Sequence, residues 1–174
     1  MILTCHEIAK NVKEGNICIS PFEEDLLNPN SYDYRIDYKL LEIEGLPVDP
    51  KKQTDYHEID FTDDGYVLSP HKTYLANTFE EIGSDKFVPS LIGKSSLGRL
   101  GLFLQITADL GNLGAKHKWT LELKAVQPVK IYPLMRIGQV TFWETYGEQQ
   151  IKYNGKYAKF SEAKSSEIYK EFSL

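Results

Sequence analysis

Cysteine is scarce here: Cys5 and Cys18 are the only two in 174 residues. That is too few for a disulfide framework and too few for a structural zinc site, so a reduced, intracellular setting is expected. Long apolar runs are missing as well. Met1-Ile2-Leu3-Thr4 leads straight into Cys5-His6-Glu7, without the basic segment and long apolar core of a secretion signal, and nothing later has the length of a membrane span. The sequence therefore predicts a soluble, cytoplasmic protein with no membrane partner. Net positive charge is also absent. A formal charge of −5 and a pI near 5.4 argue against nucleic acid as a partner, because sequence-independent binding needs a basic surface. An anionic ligand would have to be held by a local cluster of cations.

What is present suffices for one domain over residues 1–174: 41% of the chain is hydrophobic and 12% aromatic, enough for a full core. Thr4-Cys5-His6-Glu7 fits a capping box, and Ile8, Val12 and Gly15 complete a short helix. An apolar alternation over residues 16–20 ends at Pro21. From Tyr32 onward, Tyr34, Ile36, Tyr38 and Leu40 alternate with Asp33, Arg35, Asp37 and Lys39, which predicts a long half-buried strand with Asp33 and Arg35 sharing its polar face as a pair. Residues 45–64 read as an irregular hairpin. Short strands are expected at residues 66–68, 73–79, 102–108, 119–126 and 139–144, so the fold class is mainly β. Glu23-Glu24-Asp25 lacks the ligand spacing of a calcium loop and reads as a solvated face, and His57 and His71 read as surface histidines.

Between two apolar runs that read as strands, Gly93-Lys94-Ser95-Ser96-Leu97-Gly98-Arg99-Leu100-Gly101-Leu102 packs two cations, two adjacent hydroxyls and three glycines into ten residues. Glycines let a backbone approach a ligand, hydroxyls and N–H groups satisfy phosphate oxygens, and Lys and Arg neutralise their charge. A phosphorylated small molecule is the first candidate ligand. Gly93-Lys94-Ser95 copies the end of a P-loop, but that motif needs a glycine five positions earlier, where Val88 stands. A glycine-rich turn with solvated Lys94 and Arg99 would account for the same composition.

This stretch, continued through Gln105-Ile106-Thr107-Ala108 and Leu121-Glu122-Leu123, resembles the central motif of the dCTP deaminases, members of the trimeric dUTPase superfamily. Ile19-Ser20-Pro21 with Asn28-Pro29-Asn30-Ser31-Tyr32-Asp33-Tyr34-Arg35 resembles that family's N-terminal motif, and Tyr153-Asn154-Gly155-Lys156-Tyr157 its C-terminal one. The three motifs span nearly the whole chain in the family's order. The resemblance implies a distorted jelly-roll with a short N-terminal helix, a homotrimer with shared active sites, and a tail over residues 150–174 that closes over the nucleotide. The tail's polar composition alone fits a disordered end equally well. Also implied is hydrolytic deamination of dCTP to dUTP and ammonia. It would proceed without zinc, since the His-x-Glu and Pro-Cys-x-x-Cys signature of zinc deaminases is absent.

By the same resemblance Glu122 is the general base, Ser95 and the carbonyl of Ala108 position the attacking water, and Arg99 stabilises charge in the site. Substrate contacts fall to Lys94, Ser96, Leu97, Gly98, Asn112, Thr120, Leu121, Gln139, Tyr153 and Lys156. Magnesium would enter on the triphosphate oxygens, with no protein metal ligand assigned. Glu122 lies between Leu121 and Leu123, where desolvation would suit a proton shuttle, while strict alternation turns it to solvent with the leucines inside. Several positions depart from the family. Lys94 replaces an Arg, keeping the charge and losing the bidentate fork. Asn112 replaces the Asp that activates water for phosphate attack in the dUTP-hydrolysing relatives; a neutral amide cannot take that proton, although it can still hydrogen-bond a sugar, and Asp109 could substitute if the loop shifts. Leu110 and Lys116-His117-Lys118 alter the base pocket, and Phe160 and Glu162 alter the tail. The alternatives are a dUTP or dCTP diphosphatase, a bifunctional deaminase-diphosphatase, and a non-catalytic nucleotide-binding regulatory protein of the same fold.

Overall fold

The computed structural model describes residues 1–148 and 162–172. Tyr153, Lys156 and Phe160 lie outside the described residues. Helix α1 (Cys5–Lys13) starts at Thr4 as expected, yet Thr4 makes no side-chain capping bond, so the capping box is not formed. The helix is held instead by burial of Ile8 and by Asn11, whose side chain donates to the Glu7 carbonyl at 2.8 Å. It stops at Gly15, where φ is +77°, a left-handed conformation that favours glycine.

The strands follow in chain order as β1 (Ile17–Ser20), β2 (Leu27–Asn28), β3 (Ser31–Ile43), β4 (Tyr56–Asp60), β5 (Tyr66–Leu68), β6 (Tyr74–Ser84) and β7 (Phe87–Gly93). A four-residue helix α2 (Ser95–Gly98) leads to β8 (Leu102–Leu104), β9 (Lys116–Ala125), β10 (Val129–Ile131) and β11 (Arg136–Glu144). Nine of these form one antiparallel sheet in the order β7-β11-β3-β6-β9-β8, with β1 on β6 and with β2 and β4 on β3; β5 pairs with β10. The fold is mainly β with a short N-terminal helix. Residues 45–64 form the expected hairpin, closed by β4. The described part of the tail ends in a 3-10 turn, Ile168–Phe172.

β3 is the spine, pairing with β2, β4, β6 and β11. Tyr32, Tyr34, Ile36 and Leu40 are fully buried and meet Leu121 and Leu123 of β9 in the core cluster. Tyr38 departs from the expected alternation and is 46% exposed, because the register against β6 shifts between Ile36 and Leu40. The expected Asp33–Arg35 pair is not made either. Arg35 instead bonds Glu80, through Nε at 2.6 Å and its backbone N–H at 2.9 Å, and reaches Glu23 at 2.8 Å. Glu80 is fully buried, and strand periodicity gives no sign of it because it sits in a second register shift, where β6 bulges against β9. The acidic triplet is solvent-exposed as expected, with Asp25 reaching Arg136 at 2.8 Å across the surface.

Candidate active site

β8 ends where it does because Gln105 adopts φ +48°, which breaks the strand. The buried Gln105 side chain then clips the following loop to β9: its Oε1 accepts the Glu122 N–H at 2.8 Å, and its Nε2 donates to the Ala108 carbonyl at 3.5 Å. The other edge of that loop is sewn to β7, with Leu91 N–H on the Asp109 carbonyl at 2.8 Å and Gly111 N–H on the Pro89 carbonyl at 2.7 Å. A Cβ at Gly111 would stand 2.7 Å from both Pro89 and Trp119, so only glycine lets the loop lie this close. Between loop and strand lies a cavity of about 620 Å³.

Ala108 and Asn112 line this cavity from the loop, Thr120 and Glu122 from β9, and Lys164, Ser165 and Ser166 from the tail. The Lys164 N–H reaches Thr120 Oγ1 at 3.4 Å. Alternation decides Glu122: Leu121 and Leu123 are fully buried, and the carboxylate is exposed at the cavity. Among the described residues, no group of three or more His, Cys, Asp or Glu is placed to hold a metal.

The anion cradle lies elsewhere. α2 is a single turn anchored by the buried Leu97, and it presents Ser95, Ser96 and Arg99 to solvent. None of Lys94, Ser95, Ser96, Leu97, Gly98, Arg99, Leu121 or Gln139 lines the cavity. Leu97 and Leu121 are buried, and Leu121 has no exposed surface within this chain, so neither presents its side chain as a substrate contact. Lys94 pairs with Asp33, which also accepts from Asn28 at 2.8 Å and Gln139 at 3.0 Å.

Leu110, His117 and Lys118 line the cavity, as their expected place at the base pocket requires, while three residues of the site, Gln105, Trp119 and Asp33, escaped the sequence reading. Gln105 lies within the quoted motif, but its role needs a backbone conformation that sequence does not display. His117 and Trp119 line the cavity as a ring pair with centroids 4.4 Å apart; an aromatic beside a histidine in a strand was the available signal. Asp33 is the third, assigned to Arg35 by alternation and given to Lys94 by the sheet.

Strands, glycine-tight loop and acid-bearing cavity together define a mainly β protein with a small-molecule pocket on one face of its sheet. The chain belongs to the dCTP deaminase-like family, whose sequence model matches residues 2–145. It is 41% identical over 172 residues to a protein of Clostridium beijerinckii named "dCTP deaminase, dUMP-forming", with 99% of each chain covered. A protein of the same name from Hathewaya histolytica is also 41% identical over 172 residues, again with 99% of each chain covered. The crystal structure of 2'-deoxycytidine 5'-triphosphate deaminase from Agrobacterium tumefaciens superposes with a TM-score of 0.65 at 22% identity, covering 81% of this chain and 47% of that one. That likeness is one of fold.

Proposed function

We propose that the chain deaminates dCTP and carries the product on to dUMP, releasing ammonia and pyrophosphate. The observation that carries this reading is the convergence of Glu122, Ala108 and Asn112 on one cavity, in a chain matched along its length by relatives named for that reaction. The resemblance alone implies dUTP as the product; the relatives' name favours the bifunctional alternative.

In the deamination, water attacks C4 of the cytosine ring while Glu122 takes one of its protons and delivers it to the departing amine, which leaves as ammonia with the electrons of the C4–N bond. The second water proton ends on N3 as C4 becomes a carbonyl. In the onward step a second water attacks the α-phosphorus, its proton passes to solvent, and pyrophosphate leaves with the electrons of the broken phosphorus–oxygen bond. The Ala108 carbonyl and the Ser95 hydroxyl hold the water, and Arg99 stabilises charge on the ring. Ser95 and Arg99 stand outside the cavity of their own chain, which supports a homotrimer whose sites each take the acid from one subunit and the cradle from the next. The neighbour would then also desolvate the exposed Glu122. Lys94 and Ser96 hold phosphate oxygens, Leu97 and Gly98 shape the turn that carries them by donating their N–H groups to the Lys94 carbonyl, Asn112 holds the sugar, and Thr120 borders the base beside Glu122. No zinc is invoked. Magnesium bound through the triphosphate would offset phosphate charge, and the oxygens of the substrate fit as its ligands.

Asn112 favours a second reading, a deaminase that stops at dUTP, because its amide cannot take the proton of a water attacking phosphorus. Incubation with magnesium and dCTP, following ammonia and pyrophosphate separately, decides between them. Equal amounts of both support the dUMP-forming reading, and ammonia alone supports the second. Neither product would leave a nucleotide-binding protein without this chemistry.

A further inference from the structure

We propose that Asp33 is a positioning residue for the phosphate side of the site, acting through Lys94. The inference rests on the reading of Lys94 as a phosphate contact. β3, β11 and β7 lie side by side, and their registers set Asp33 opposite Gln139 and Gly138 opposite Gly93. Lys94 follows Gly93, so carboxylate, amide and ammonium meet at one place on the sheet. The Asp33 side chain is only 5% exposed, that of Lys94 21%.

A buried carboxylate is destabilising unless its oxygens are satisfied. Here Oδ1 accepts from Asn28 and Gln139, and Oδ2 takes the Lys94 ammonium. Three donors fix the carboxylate, and the fixed carboxylate fixes the lysine. This matters for a lysine in particular. Its ammonium is a point charge on a flexible stem, without the rigid fork by which an arginine orients itself on phosphate. The ammonium carries three donors and Asp33 needs one, so the others remain for phosphate oxygens. Asp33 thus supplies the orientation that the side chain of Lys94 lacks. In the opposing view the ion pair competes with phosphate for Lys94, and removing the carboxylate would tighten binding.

The test measures KM and kcat for dCTP with magnesium, together with calorimetric binding of magnesium tripolyphosphate, for Asp33→Asn, Lys94→Gln and the double variant. Asp33→Asn should raise KM about tenfold with kcat within about twofold, and weaken tripolyphosphate by a similar factor. A merely structural role would lower thermal stability and kcat and leave KM and tripolyphosphate binding in place. The double variant should bind no more weakly than Lys94→Gln alone, since Asp33 acts through that lysine. Unchanged or tighter tripolyphosphate binding by Asp33→Asn, or losses that multiply in the double variant, would overturn the proposal. If Asp33→Asn does not fold, Asn28→Ala removes one donor to Oδ1 and should weaken tripolyphosphate about threefold; undiminished binding there overturns it equally. A wild-type protein that binds tripolyphosphate yet releases no ammonia from dCTP would sink the deaminase reading, while the Asp33 proposal still stands or falls on the binding ratios.

Discussion

Glu122 owes its freedom at the cavity to a main chain that is not free. Its N–H is held by Gln105 Oε1 at 2.8 Å, and its carbonyl accepts the Gln105 N–H at 3.3 Å. Glu122→Gln keeps the shape and removes the base, so ammonia release from dCTP should fall by about two to four orders of magnitude, with dCTP binding by calorimetry nearly unchanged. Normal turnover in that variant would take the proton transfer away from Glu122. Gln105→Ala acts differently, since it leaves the Glu122 N–H without its partner and unclips the loop; denaturant unfolding should show a loss of about 1–3 kcal/mol. Gly138 offers a packing test. A Cβ there would fall within the ring of Tyr34, whose hydroxyl donates to the Ile92 carbonyl at 3.1 Å, so Gly138→Ala should cost about 1–3 kcal/mol or more in a melt. Glu122 and Ala108 were legible in the sequence as neighbours within a motif. Gln105 and Gly138 were not, because their roles depend on a left-handed φ and on a ring that arrives from another strand.

Periodicity found most of the strands, although the one expected over residues 102–108 stops at Leu104 and β10 was not expected, and two register shifts explain why it read some faces wrongly. The extra residues of β3 against β6 turn Tyr38 outward, and those of β6 against β9 turn Glu80 inward to Arg35. Alternation is a local rule; a bulge is set by the partner strand. The β6 bulge is held by several bonds at once: Thr78 Oγ1 donates to the Glu80 carbonyl at 2.7 Å and accepts the Trp119 N–H at 2.9 Å, while the Arg35 guanidinium lies 4.9 Å from the centre of the Phe79 ring. Trp119 also lines the cavity, so the bulge shapes the wall beside Glu122. Glu80→Ala strands a half-buried guanidinium and should lower stability by about 3–5 kcal/mol in urea unfolding. A loss under about 1 kcal/mol would mean that Glu23 alone can hold Arg35.

Across the whole molecule, Tyr32, Tyr34 and Tyr74 are fully buried while Tyr38, Tyr56, Tyr132 and Tyr146 are exposed, a division composition could not reveal. Burial pushes Tyr32 and Tyr74 up to about 12 from the ordinary value of 10, and raises Tyr34 as well. The folded chain therefore keeps phenolic protons that the unfolded chain gives up, so stability should fall as pH rises from about 10 through about 12. A late fraction of the tyrosinate absorbance, appearing in step with loss of circular dichroism, would show this coupling; ionisation of all tyrosines in a folded chain would refute it. The mainly β fold was legible at this scale because strand periodicity and turn residues recur along the chain. A site divided between subunits was implied by the family resemblance alone, since periodicity and composition do not say which copy of a residue a pocket uses. In the present chain Glu122 lies at the cavity and Arg99 outside it, which makes complementation the sharpest measurement. Glu122→Gln and Arg99→Ala should each be nearly inactive alone. Mixed at equal amounts and allowed to exchange subunits, a shared site is intact when one subunit brings Glu122 and its neighbour brings Arg99, about one site in four. Recovery of roughly that share of wild-type ammonia release fits the divided site, whereas no recovery after verified exchange means that each chain builds its active site alone.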